Sequence, residues 1–266
     1  MIRTGEGQHD RPWRSRCLPG MLLVLLATVG ATLGVGPGVA GAAAKTPSQV
    51  LASSGAAANG EPSFHYVATE SQSDLSITIA GDVAKTEGTQ TIVANMNGQI
   101  GHVTVTLVDG SAYFRGDEPG LQNFMQLPAA LAAEYTNQWI SLSKNDPGYA
   151  TIAAGLTTAS ALGQVQMAKP LTLRGVTKKM GQRVLTIGGT ERGTPSGATK
   201  PVTIPVRLYV KASGTPLPVL FSATWVVDNH AEVQSVSFSR WKEPVHVSAP
   251  AGPVPMGSLG GKPVEA

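Results

Sequence analysis

The chain has 266 residues, of which 42% are apolar, 14% charged and 5% aromatic, and it carries a formal net charge of +3. Its single cysteine, Cys17, precedes the first apolar run. Everything after that run is therefore without a disulfide framework, thiol catalysis or thiolate metal sites. Charged residues fall below the roughly 25% usual in soluble domains. Beyond residue 44 there are 16 basic and 15 acidic groups, and no basic stripe in the sequence points to nucleic acid.

Arg11, Arg14 and Arg16 stand before an apolar run from Met21 to Val35, and small residues follow from Gly36 to Ala44. A basic region, an apolar region and a small-residue end describe a secretory signal, with Lys45 opening the mature chain. The rival is an uncleaved anchor, since roughly 20 apolar residues span a bilayer. Gly30, Gly34, Gly36, Pro37, Gly38 and Gly41 argue against a stable spanning helix. The expected division is a signal at 1–44, one folded domain at 45–249 and a disordered tail at 250–266. The mature chain, 222 residues long, suits one domain. A chain of that size buries roughly 70% of its unfolded surface and needs no disulfide or metal to fold.

Residues 45–62 are rich in Ala, Ser, Gly and Pro, with a short helix expected at Pro47–Leu51. Strands are expected at Phe64–Thr69, Leu75–Val83, Thr89–Met96, Ile100–Val108 and Ser111–Arg115. In the fourth of these, Val103, Val105 and Leu107 alternate with His102, Thr104 and Thr106 at the period of two that marks a half-buried strand. Asn97-Gly98 and Asp109-Gly110 are hairpin turns, because both central positions of a type I′ turn need positive φ.

The character changes over roughly 119–165, where a helical insert is expected. Pro119 suits a first helical position, and Pro128 divides the run into two short helices, with Leu127, Leu131 and Tyr135 four apart on one face. After a strand-like Gln138–Leu142, Asp146 and Pro147 read as N-cap and first helical residue. Tyr149, Ile152, Ala153 and Leu156 then give the stripe of an amphipathic helix.

Strands resume at Leu171–Val176, Arg183–Thr190, Val202–Lys211, Leu217–Val227 and Val233–Trp241. Pro205 places its strand at an edge or a bulge, and Asp228-Asn229-His230 turns the last hairpin. From Pro250 the composition predicts disorder. The fold class is α+β: one large antiparallel sheet with helices inserted midway.

No constellation in the sequence carries chemistry. Gly36–Gly41 fits the letters of a dinucleotide fingerprint but lies in the signal with no strand before it. Gly260-Gly261-Lys262 is followed by Pro263 and lacks the upstream glycine of a phosphate loop. His65, His102, His230 and His246 show no metal-ligand spacing, and no G-x-S-x-G elbow occurs. Asp117, Glu118, Glu134 and Asp146 sit near helix ends, where a carboxylate is stabilising without chemistry. No catalytic residue, metal or cofactor is expected.

The order Gly110-Ser111-Ala112-Tyr113-Phe114-Arg115-Gly116, helix, Asn137-Gln138-Trp139-Ile140-Ser141-Leu142 resembles actinobacterial envelope lipid carriers of the LppX/LprG type. So do Gly214–Val219 and the closing stretch Phe238–Pro250. The resemblance covers roughly 46–250. It implies a LolA-like half-barrel, a curved antiparallel sheet with helices across its concave face, that carries or presents acylated lipids. Members of that family usually end the signal with a lipobox cysteine. Here Cys17 comes before the apolar run, so the chain is either a released carrier or is held by an uncleaved signal.

The resulting expectation is an exported, non-catalytic monomer of the cell envelope. Its partners are a lipid or other acylated ligand and a membrane surface, with no nucleic acid. The expected cavity lining is Phe124, Leu127, Leu131, Tyr135, Trp139, Tyr149, Ile152 and Leu156. The rival reading is a structural or protein-interaction module of the same fold without a cavity. A hydrolase would need an acid–base pair converging in the groove.

Overall fold

Period-two alternation over most of the chain produces one long sheet. The computed structural model describes residues 45–261 apart from 73, 164, 194–199, 228 and 229. The expected signal and the Asp228-Asn229 turn lie outside the described residues. The strands are β1 (Ser63–Ser71), β2 (Leu75–Ala84), β3 (Gly88–Met96), β4 (Gln99–Val108), β5 (Ser111–Gly116), β6 (Ile140–Leu142), β7 (Ala168–Lys179), β8 (Gln182–Gly193), β9 (Val202–Lys211), β10 (Pro218–Val227), β11 (His230–Ser239) and β12 (Val254–Pro255). Their order across the sheet is β12-β6-β5-β4-β3-β2-β1-β11-β10-β9-β8-β7. Every neighbouring pair is antiparallel except β12 with β6. The half-barrel is open, with β7 and β12 as its edges.

Two hairpin turns take the expected form: Asn97 and Gly98 have φ of 54° and 83°, and Asp109 and Gly110 have 52° and 74°. A further turn of the same kind, Met180-Gly181, has 49° and 77° and gave no signal in the sequence, because methionine is not a turn residue. Pro205 lies in neither an edge strand nor a bulge. It pairs with Thr190 of β8, while the β9–β10 ladder ends at Val206 with Ala223. Its missing N–H therefore costs no rung.

The helices depart further from expectation. Instead of a single turn near Pro47, α1 runs Pro47–Gly60, closed by a capping box between Thr46 and Gln49. Its buried face is Val50, Ser54 and Ala58, residues too small to register as an amphipathic stripe. Pro119 caps a π-turn at Gly120–Phe124, and Pro128 caps α2 (Ala129–Glu134). The amphipathic helix expected over 147–156 is one turn, α3 (Tyr149–Ile152), followed by α4 (Thr158–Leu162). Gly148 and Gly155, with φ of 80° and 76°, bracket α3 in the left-handed region and stop it from extending. Asp146 caps no helix; its carboxylate accepts from the Ser143 N–H at 2.6 Å and hydroxyl at 2.9 Å.

The tail also differs from expectation. Residues after β11 form a strap that passes the start of β1, tied by the Lys242 N–H to the Ser63 carbonyl at 3.0 Å. Trp241 packs on Phe64 with ring centroids 4.8 Å apart. The chain then forms β12 against β6 and a 3-10 turn at Met256–Gly261, with Leu259 buried. Composition predicts disorder here, but one buried leucine and two β-rungs are enough to dock the segment.

Candidate functional site

The sheet's inner face is built in cross-strand rows. One row runs Val103, Ile92, Ile79, Ala68, Val236, Phe221, Leu208, Ile187 and Leu173, from β4 to β7. It is apolar at every position across nine strands, about 38 Å at the usual strand spacing. The next row is Gly101, Ala94, Ile77, Glu70, Gln234, Ala223, Val206 and Gly189, where small residues flank a polar centre.

Two sets of helical elements cover this face. Over β7, β8 and β10 lies α1. Over β3, β4 and β5 lies the π-turn, and glycines set the distance: a Cβ on Gly101 would come within 2.6 Å of the Gly120 nitrogen. Asp117 fixes that approach by accepting from the His102 N–H (2.9 Å), the Gly120 N–H (2.8 Å) and the His102 ring Nδ1 (2.7 Å). Burial alone would raise the Asp117 carboxyl; the His102 and Gly120 donors outweigh it and hold the group below the usual range. The segment before α4 packs on β1 and β3, where the Tyr66 hydroxyl donates to Gln90 Oε1 at 2.7 Å and lies 3.1 Å from the Gly155 carbonyl.

The expected lining residues divide into three groups. Leu127 and Leu156 are buried in the core, at 6% and 0% exposure. Phe124, Leu131, Tyr135, Tyr149 and Ile152 are half-buried and pack on the same core. The Tyr149 hydroxyl donates to the Gly110 carbonyl at 3.0 Å, pinning α3 to the β4–β5 turn. Trp139 lies elsewhere. It directly precedes inward-facing Ile140, so alternation puts it on the outer face, where the Arg115 guanidinium sits 4.8 Å above its ring.

The inner-face row is not visible as a row in the sequence, although its alternating residues are legible in each strand. What periodicity does not supply is register between strands. The polar centre was missed too. Glu70 is raised above the usual carboxyl range, first by burial and also by the charge of Glu232, against a hydrogen bond from Gln72. Glu232 is buried and accepts from the Trp225 indole N–H. His65 and His102 belong to the opposite face, with Asp82 and Asp117 as partners. Neither pair lies on the concave face beside Glu70 and Glu232.

Two open hollows stand out, of about 260 Å³ and about 400 Å³. The first lies beside the strap, between Phe64, Asp82, Arg240 and His246; the second between Tyr113, Ser141, Asp146 and Pro255. None of the eight expected residues lines either. Among the described residues no helix is long and apolar enough to cross a membrane.

No family model matches the chain, and no curated protein matches it. Solved structures do. The chain is similar to LprF from Mycobacterium bovis, with 18% identity and a TM-score of 0.49, over 77% of this chain and 97% of that one. It is also similar to the Mycobacterium tuberculosis lipoprotein LppX, with 16% identity and a TM-score of 0.47, over 75% of this chain and 96% of that one.

Proposed function

We propose that this chain is an exported, non-catalytic carrier of acylated lipid, which it holds between the concave face and the short helices. The observation that carries the reading is the apolar row nine strands wide. Among the elements around it, α2 packs on the π-turn, α3 on β5 and α4 on β2, and they have six, four and five residues. Helices this short have little stability of their own and hold only through packing, so a ligand that replaces their contacts can displace them. An acyl chain entering the row gains roughly 0.8 kcal/mol per buried methylene. Phe124, Leu131, Tyr135, Tyr149 and Ile152, half-buried at the seam, are the proposed gate; Leu127 and Leu156 are its fixed base. The 1–44 segment is proposed as the export signal.

One observation favours the rival module without a cavity: from Val103 to Ile187 the row is already covered, with no residue above 7% exposed. Mass spectrometry of an organic extract from protein purified from its native host decides between the two. A carrier yields stoichiometric acyl lipid. Protein free of lipid, and unable to take up a fluorescent fatty acid, is the interaction module.

A further inference from the structure

The residues beyond 44 separate by charge in a way that the near-neutral total conceals. Ala168–Lys211 holds nine basic residues and one acidic residue, and the rest of the mature chain holds seven basic and fourteen acidic residues. The sheet collects eight of the nine, all but Lys200, into a wing, β7–β8–β9, at its free edge. Arg174 shares a face with Thr186 and Tyr209, Arg207 with Gly188 and Thr172, and Lys211 with Val184 and Thr177. This is the outer face, opposite Ile187 and Leu208. The one acid, Glu191, pairs with inward-facing Ile204. Among the described residues none of the wing's basic side chains takes part in an ion pair.

The wing ends in the β7–β8 hairpin, Lys178-Lys179-Met180-Gly181-Gln182-Arg183, exposed throughout. Its type I′ geometry puts a methionine at the tip, 58% exposed, with Val176 behind it at 50%. An exposed large apolar side chain at a turn, ringed by three cations, suits neither a core nor a plain solvated loop. It suits the boundary between lipid headgroups and acyl chains, where apolar groups enter and basic ones meet phosphate.

We propose that the β7–β9 wing docks on the surface of a bilayer containing anionic phospholipid, with Met180 in the interface and Lys178, Lys179 and Arg183 on the phosphates. The face carries its charge on long side chains with no acid beside them, so the complementary partner is an extended surface of negative charge. In the hairpin Lys178 and Arg183 pair on the side of inward-facing Leu185, and Lys179 faces the other way. The tip lies past the Leu185–Val210 pair, so it does not depend on a ligand being held under the helices.

The test uses the full chain carrying Cys17→Ser and Met180→Cys, labelled at 180 with a fluorophore that shifts to the blue in apolar surroundings. An N-terminal segment that enters bilayers does not confuse this readout, because it reports the tip alone. Vesicles of phosphatidylcholine with phosphatidylglycerol should shift the label, and vesicles of phosphatidylcholine alone should not. High salt should reverse the shift. Adding Lys178→Gln, Lys179→Gln and Arg183→Gln should weaken tip insertion by about fivefold per residue, on the order of a hundredfold together. Lys178→Arg with Lys179→Arg should keep it. An unshifted label in anionic vesicles, an equal shift in neutral ones, or a shift indifferent to the three substitutions overturns the proposal. So does a label that responds to duplex DNA and not to vesicles.

Discussion

The Tyr66 ring occupies the space that a side chain at Gly81 would need: a Cβ there would come within 2.6 Å of the ring Cζ. The two face each other across the β1–β2 ladder, and the phenol above them is raised by burial. Gly81→Ala should therefore destabilise by about 1–3 kcal/mol through overpacking. Tyr66→Phe should cost a similar amount by leaving Gln90 without its donor. Combined, the two should cost less than their sum, because a ring released from its hydrogen bonds to Gln90 and Gly155 can shift away from the new Cβ. Urea midpoints of the three variants check this.

Asp117→Asn should lower stability in a pH-dependent way. The folded-state carboxyl is depressed, so its contribution is complete above the unfolded value near 3.9. It is lost as pH falls through the folded value. The stability gap between parent and variant should be constant from about pH 7 to pH 5 and close below about pH 4. Chemical denaturation across that range measures it.

Glu70→Gln should act with the opposite sign. Its carboxyl is raised by burial and by Glu232, so ionisation costs the folded state more than the unfolded one. At neutral pH the glutamine variant should melt higher than the parent. The gain should vanish as pH falls below the unfolded value near 4.3, where both states are protonated. Paired thermal scans at pH 7 and at about pH 3.5 decide it.

Leu156 and Leu131 should respond differently although both were expected to line the cavity. Leu156, fully buried, should lose about 2–5 kcal/mol on replacement by alanine. Leu131 is half-buried, so Leu131→Gln should lower lipid uptake more than it lowers the thermal midpoint. A large loss of stability with unchanged uptake would place Leu131 in the fixed core and remove it from the gate.

Ending the chain at Ala249 removes β12 and the buried Leu259. The lost leucine burial alone is worth roughly 1.5–3 kcal/mol, and β6 becomes a bare edge. The truncated protein should melt lower and elute partly as aggregate in size-exclusion chromatography.

Eleven strands and two of the turns were legible because alternation and Asn-Gly or Asp-Gly signals are local. Helical stretches were less so. The apolar stripe at Tyr149, Ile152 and Leu156 is present, yet Gly148 and Gly155 interrupt the backbone that would carry it as one helix. In α1 the contact face is Val50, Ser54 and Ala58, which hydrophobicity cannot distinguish from a linker. Trp139 was misplaced because its face depends on pairing with β5. The basic wing escaped notice for a related reason: its cations are spread over 43 positions of sequence, from Lys169 to Lys211, and converge only when three strands align.

The strap has a consequence for the order in which the protein comes into being. A ribosome makes β1 to β6 early, as a meander with two open borders. The partner of β1 is β11, and the partner of β6 is β12. Both borders thus wait for residues beyond 229, and until these emerge each border of the half-sheet is a bare edge open to pairing with another chain.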